Sequence, residues 1–209
     1  MTYSEDAVRV RRVATFVGTV MWVLGVSPLV WAQAQGTVTV AACAPCHGAS
    51  VAAAPGAPAF PTLDGQQAAY LNKQLREYKS GKRKSPVMAP LAMVLKPQQI
   101  SAMAAHFASQ TPAQAASENA DLAARGKALY EEGNRSSGVP ACVGCHLANG
   151  VGHERYPRLA GQRQTYIVQQ LTAFKSGARN NDPAHVMRAI AGRLTDEEIR
   201  ALAEYVAGR

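Results

Sequence analysis

The sequence predicts an all-α protein made of two small helical domains in tandem. Three observations carry that reading. A long segment is written twice, the apolar residues in both copies recur at helical spacing, and strand patterns are scarce, "TVTV" at 37–40 being the only tempting one.

The repeat comes first, because it sets the domain count. "FPTLDGQQAAYLNKQLREYKSG" (60–81) answers to "YPRLAGQRQTYIVQQLTAFKSG" (156–177). Pro61, Leu63, Gly65, Gln66, Tyr70, Gln74, Leu75, Lys79, Ser80 and Gly81 all recur ninety-six positions later. "VMAPLAMVLKPQQISAMAAHF" (87–107) then answers to "VMRAIAGRLTDEEIRALAEYV" (186–206) at an offset of ninety-nine. Between the copies "ASQTPAQAASENA" (108–120) has no apolar periodicity and reads as a linker.

Each element follows from local chemistry. Tyr70, Leu71, Leu75 and Tyr78 share one helical face, as do Tyr166, Ile167, Leu171 and Phe174, and each helix should stop at glycine, Gly81 or Gly177. The closing helices carry Ile100, Met103 and Phe107, then Ile199, Leu202 and Val206. Pro97 suits the first turn of one, and Thr195 with Glu198 makes a capping box for the other. "ADLAARGKALYEEG" (120–133) is a further amphipathic helix that opens the second unit.

The first 34 residues read as an export signal rather than as fold. Arg9, Arg11 and Arg12 precede an apolar run from Val13 to Trp31, and "WAQA" offers a small-residue cleavage site after Ala34. An uncleaved anchor is the alternative, which Pro28 and the cleavage site disfavour. The expected organisation is therefore signal 1–34, first domain 35–110, linker 111–119 and second domain 120–209. The chain carries a formal charge of +8, and the excess is uneven: residues 35–110 hold seven basic against two acidic side chains. An exported protein rarely meets nucleic acid, so the charge points to acidic protein partners or anionic lipid.

Four cysteines in an exported chain would ordinarily suggest disulfides, yet they stand as "CAPCH" (43–47) and "CVGCH" (142–146). Two such disulfides would close only tiny loops and leave the histidines unexplained. Zinc needs four ligands, and each unit offers two cysteines and an adjacent histidine. A thioredoxin-like dithiol belongs after a strand in a βαβ setting, and no such alternation is visible along the chain. Cys-x-x-Cys-His as a c-type haem attachment motif accounts for every residue. One helical turn brings both thiols to one edge of a porphyrin, where they add across its vinyl groups, and the next residue aims an imidazole at the iron. A bulky apolar group would also complete the core of domains this small and alanine-rich. Two haems are thus expected, on Cys43 and Cys46 and on Cys142 and Cys145, with His47 and His146 as proximal ligands.

The sixth ligand separates electron transfer from ligand chemistry. Met88 and Met187 coincide within the repeat, each forty-one residues past its histidine, in stretches read as non-helical before the closing helices. Methionine is usually a core filler, and Met93 and Met103, which lack partners in the second unit, are read that way. His185 is the rival to Met187, while His106 reads as an ordinary helix position and His153 as a loop residue without a counterpart. Pro61 and Pro157 are either plain turn residues or present carbonyls to the proximal imidazole N–H.

With those motifs in place, the mature chain resembles the cytochrome c4 family: exported proteins of two tandem cytochrome c-like domains, each wrapped around one haem with His and Met ligands. The resemblance implies a periplasmic carrier of single electrons, expected as a monomer, for instance from a quinol-oxidising complex to a terminal oxidase, with peripheral membrane association left open. Thioether sulfur favours the ferrous state and so raises the potential. Lys79, Lys82, Arg83 and Lys84 form the densest basic cluster and are expected to steer an acidic partner. Two rivals remain: the haem-carrying subunit of a dehydrogenase, such as a flavocytochrome sulfide dehydrogenase, and a haem enzyme such as a peroxidase or thiosulfate dehydrogenase. A subunit should bear a permanent apolar interface.

Overall fold

The computed structural model describes residues 40–48, 59–112, 114 and 117–209; the predicted export signal lies outside them. The described secondary structure is helical, apart from two isolated antiparallel bridges, Asn134 with Val139 and His153 with Tyr156. In the first unit, helical residues 40–47 (α1) are followed by α2 (Ala68–Lys79), α3 (Met88–Met93) and α4 (Pro97–Ala108). The second unit holds α5 (Ala120–Glu132), α6 (Val143–His146), α7 (Gln164–Lys175), α8 (Val186–Ala191) and α9 (Asp196–Ala207). Of "TVTV", only Val40 is described, and it is helical.

Helix ends follow the sequence. Ser80 and Ser176 close α2 and α7, and Gly81 and Gly177 turn away at φ 76° and 77°, a conformation that favours glycine. Thr195 Oγ1 accepts from the Glu198 amide at 3.1 Å and the Glu198 carboxylate accepts from the Thr195 amide at 2.8 Å. Asn119 caps α5 through a bond from the Leu122 amide.

The two units pack alike. α2 lies on α4 and α3, as α7 lies on α9 and α8. Ile100, Met103 and Phe107 are buried, as are Ile199, Leu202 and Val206. Their cores differ in size. The second unit has one cluster of ten buried residues that includes Leu129, Tyr130, Ile167, Leu202 and Tyr205. Among its described residues the first has two clusters of three, Leu71–Ala104–Phe107 and Leu95–Ile100–Met103, and Cys43 packs against both. Two expectations need correction. Met93 is no core filler but 62% exposed, because it falls on the outer side of the short α3. Met88 and Met187 are not in irregular chain: α3 begins at Met88, and Met187 is the second residue of α8.

The units meet across a face with pseudo-twofold symmetry, as in a self-complementary dimer. Arg83 bonds Gln74 of its own unit and Tyr166 and Gln170 of the other. Arg179, its repeat counterpart, bonds Gln170 of its own unit and Tyr70 and Gln74 of the other. Each guanidinium also lies over a matched ring, Tyr78 or Phe174. Arg83 is therefore buried and drops out of the basic cluster 79–84, whose Lys79, Lys82 and Lys84 stay exposed. Lys79 reaches the Met93 and Leu95 carbonyls, and Lys82 pairs with Glu77.

One element breaks the symmetry. Buried Asn181 donates to Gln74 and to Glu77, and Lys73 bridges Glu77 and the Asn181 carbonyl. Burial pushes the Glu77 carboxyl up, but its bonds from Lys73 and Asn181 outweigh that and hold it below the ordinary carboxylate range. A depressed carboxylate contributes stability above its unfolded pKa that is lost as pH falls through the folded value. Acid should accordingly loosen the domain interface, and Glu77→Gln should remove that part of the dependence. Small-angle scattering of both proteins against pH measures it: expansion at the same pH in both would place the acid sensitivity elsewhere.

Candidate haem sites

In each unit the two cysteines and the histidine share one side of a helical turn, at i, i+3 and i+4. None of the four cysteines is in a disulfide. Cys43 is half-buried between the two small clusters, Cys46 is exposed, and Cys142 packs against the large core. Burial pushes the Cys142 thiol up to about 11 and raises that of Cys43, so both are neutral at ordinary pH.

The histidines are buried and oriented identically. His47 Nδ1 lies 2.9 Å from the Pro61 carbonyl, and His146 Nδ1 lies 3.0 Å from that of Pro157. A carbonyl only accepts, so Nδ1 carries the proton and Nε2 keeps its lone pair for a metal. Burial lowers both histidine pKa values, more than the proline hydrogen bonds raise them, which keeps the rings neutral. Of the two readings of these prolines, the structure selects the carbonyl acceptor.

Backbone hydrogen bonds tie the proline loops down. Leu63 N–H bonds the His47 carbonyl and Gly65 N–H that of Phe107; Gly161 N–H bonds the matched Val206 carbonyl. In the second unit Gly152 (φ 67°) donates to the His146 carbonyl and passes so close to Pro157 that an added Cβ would lie 2.5 Å from its carbonyl carbon. A feature not singled out from sequence is an aromatic ring beside each imidazole: Phe60 at 6.1 Å and Tyr156 at 5.9 Å between centroids. The signal was there, since both precede the repeated prolines.

Met88 and Met187 are half-buried, and Met88 is braced by a bond from its amide to Ser85 Oγ. His185 is exposed and left-handed (φ 60°) in the turn before α8. His106 is exposed on α4, and His153 stacks edge-on with Tyr156. Among the described residues no three His, Cys, Asp or Glu side chains gather as a cage for a bare ion. A thiol pair, an imidazole with a free lone pair and a small apolar core do fit a planar apolar group that brings its own metal.

Helical units in tandem, each with Cys-x-x-Cys-His held against a proline carbonyl, define a two-domain c-type cytochrome. The cytochrome c family model matches residues 33–111 and 123–208. Cytochrome c4 of Pseudomonas aeruginosa is 40% identical over 178 residues, 84% of this chain and 87% of that protein. A thiosulfate dehydrogenase electron acceptor of Thiomonas intermedia is 36% identical over 204 residues, 96% of this chain and 91% of that one. The crystal structure of reduced recombinant cytochrome c4 from Pseudomonas stutzeri matches with a TM-score of 0.77 at 37% identity, covering 84% of this chain and 97% of that one.

The chain belongs to the cytochrome c4 family. It is an electron carrier between redox partners and not itself a catalyst, which sets aside the haem-enzyme rival. Its two cysteine pairs are consistent with two c-type haem attachment sites, and a periplasmic location agrees with the cytochrome c4 relatives.

Proposed function

We propose that Cys43 with Cys46, and Cys142 with Cys145, would each hold one haem through two thioether bonds, with His47 and Met88 as iron ligands in domain 35–110 and His146 and Met187 in domain 120–209. The matched histidine–proline hydrogen bonds carry this reading, because they fix the tautomer that ligation needs at both sites. When bound, the haems supply one-electron redox chemistry. The chain's part is to hold each imidazole, exclude water with the clusters around Cys43 and Cys142, and keep the two units in one fixed relation through the Arg83 and Arg179 network. After removal of residues 1–34 the protein passes single electrons between respiratory partners in the periplasm, for example from a quinol-oxidising complex to a terminal oxidase.

Methionine ligation is tested by Met88→Ala and Met187→Ala. Each should abolish, at one haem, the weak long-wavelength absorption that ferric iron takes from thioether sulfur, and lower that haem's potential. An unchanged spectrum in Met187→Ala, with loss in His185→Ala, would transfer the role to His185.

A second reading, electron acceptor or subunit of a dehydrogenase, is favoured by an exposed apolar group in the first unit. Val87, Leu91, Met93 and Val94 are 51–79% exposed, and residues 78–117 contain no acidic side chain. Gel filtration of a gentle cell extract separates the readings: elution alone supports the free carrier, and co-elution with a dehydrogenase the subunit.

A further inference from the structure

Each proximal histidine is joined to the opposite domain through a single peptide group. The Pro61 carbonyl that accepts from His47 belongs to the same peptide as the Thr62 amide, and that amide donates to Gln162 Oε1 of the second unit at 3.0 Å. The arrangement recurs in reverse. The Pro157 carbonyl accepts from His146, and the Arg158 amide of that peptide donates to Gln66 Oε1 of the first unit at 2.8 Å. Both glutamines close the clasp with their amide nitrogens, Gln162 on the Thr62 carbonyl at 2.9 Å and Gln66 on the Arg158 carbonyl at 2.9 Å. Gln66, Gln162 and Thr62 are all at least nine-tenths buried, so water does not compete for these groups.

A peptide whose N–H is engaged by an acceptor is polarised, and its carbonyl becomes the stronger acceptor in turn. A stronger acceptor on Nδ1–H makes the imidazole more electron-rich at Nε2. We infer that Gln162 tunes the haem of the first domain and Gln66 that of the second: each domain sets its neighbour's potential through a hydrogen-bond relay from glutamine to peptide to histidine. Electron donation from the imidazole favours ferric iron, so an intact relay holds the potential down. Both glutamines are positioning residues, and the inference rests on His47 and His146 being the iron ligands.

The relay is distinct from mere adhesion between the units. If Gln162 only held the two units together, replacing it would disturb both domains or neither, whereas the relay runs in one direction across the interface. Gln170 gives the control. It also bonds across the interface, through Arg83, but touches neither proline peptide.

The test is spectroelectrochemical titration of the full-length two-haem protein, with each haem followed by its own hyperfine-shifted proton resonances. Gln162→Leu should raise the ferrous-to-ferric ratio of the first-domain haem at fixed potential by about two- to tenfold, leaving the second unchanged. Gln66→Leu should do the reverse, and Gln170→Leu should move neither. Gln162→Glu, which keeps the acceptor and adds charge, should lower the first-domain potential, and it serves if the leucine variant does not accumulate. Equal shifts of both haems, a shift in the glutamine's own domain, or no shift would overturn the inference. A failure of histidine ligation would show itself separately, in the spectrum of the unsubstituted protein.

Discussion

Gly126→Ala is expected to destabilise the protein by about 2–4 kcal/mol, although the same change in an isolated helix stabilises it by about 1 kcal/mol. Gly126 sits where α5 crosses α9, and a Cβ there would lie 2.0 Å from the Ala201 carbonyl oxygen and 2.9 Å from Tyr205 Cβ. The nearest obstacle is backbone, so no side-chain rotation relieves it. The helices must separate, and Leu129, Tyr130, Leu202 and Tyr205 sit in the core cluster they share. Gly144→Ala is the control: an added Cβ meets nothing within 4 Å, and the repeat places Pro45 there. Thermal unfolding of the three holoproteins checks this. A melting temperature for Gly126→Ala at or above that of the unsubstituted protein would mean that α5 and α9 do not approach so closely.

The second large effect is expected from Cys43→Ser with Cys46→Ser, set against Cys142→Ser with Cys145→Ser. Each pair should reduce haem from two per chain to one by pyridine haemochrome assay. The structural consequences should differ. The described core of the first unit is two clusters of three residues joined through Cys43, too small to be self-sufficient. The second unit has ten buried residues in one cluster. Loss of the first haem should therefore expose α2 and α4 to proteolysis, while loss of the second should leave α5 and α9 protected. Equal protection in both variants would show that the first core stands without its haem.

Much of this was legible in the residues themselves. The repeat fixes two units, the 3.6-residue periodicity places α2, α4, α7 and α9, and Thr195 with Glu198 marks a helix start from two side chains alone. The two Cys-x-x-Cys-His motifs are equally local, since each spans one helical turn. The repeat also singled out Pro61 and Pro157, but the structure was needed to choose the carbonyl acceptor over a plain turn.

What sequence could not decide was which polar groups are inside. Arg83 read as part of a basic run, and nothing along the chain marked Gln66, Gln74 or Asn181 as interior, yet all four are buried between the domains. Met93 erred the other way. Burial by a neighbouring element of the same chain imposes no periodicity on the residues it covers, so no window along the sequence reports it. Gly126 is the same case at the scale of one atom. Sequence by itself determined the two helical units and their haem motifs, because those depend on contacts within a turn or within one helix face. Only the tertiary structure decided the interface, and with it the crosswise link from each glutamine to the other domain's histidine, because hydrogen bonds between residues about a hundred positions apart exist only once both units are folded and docked.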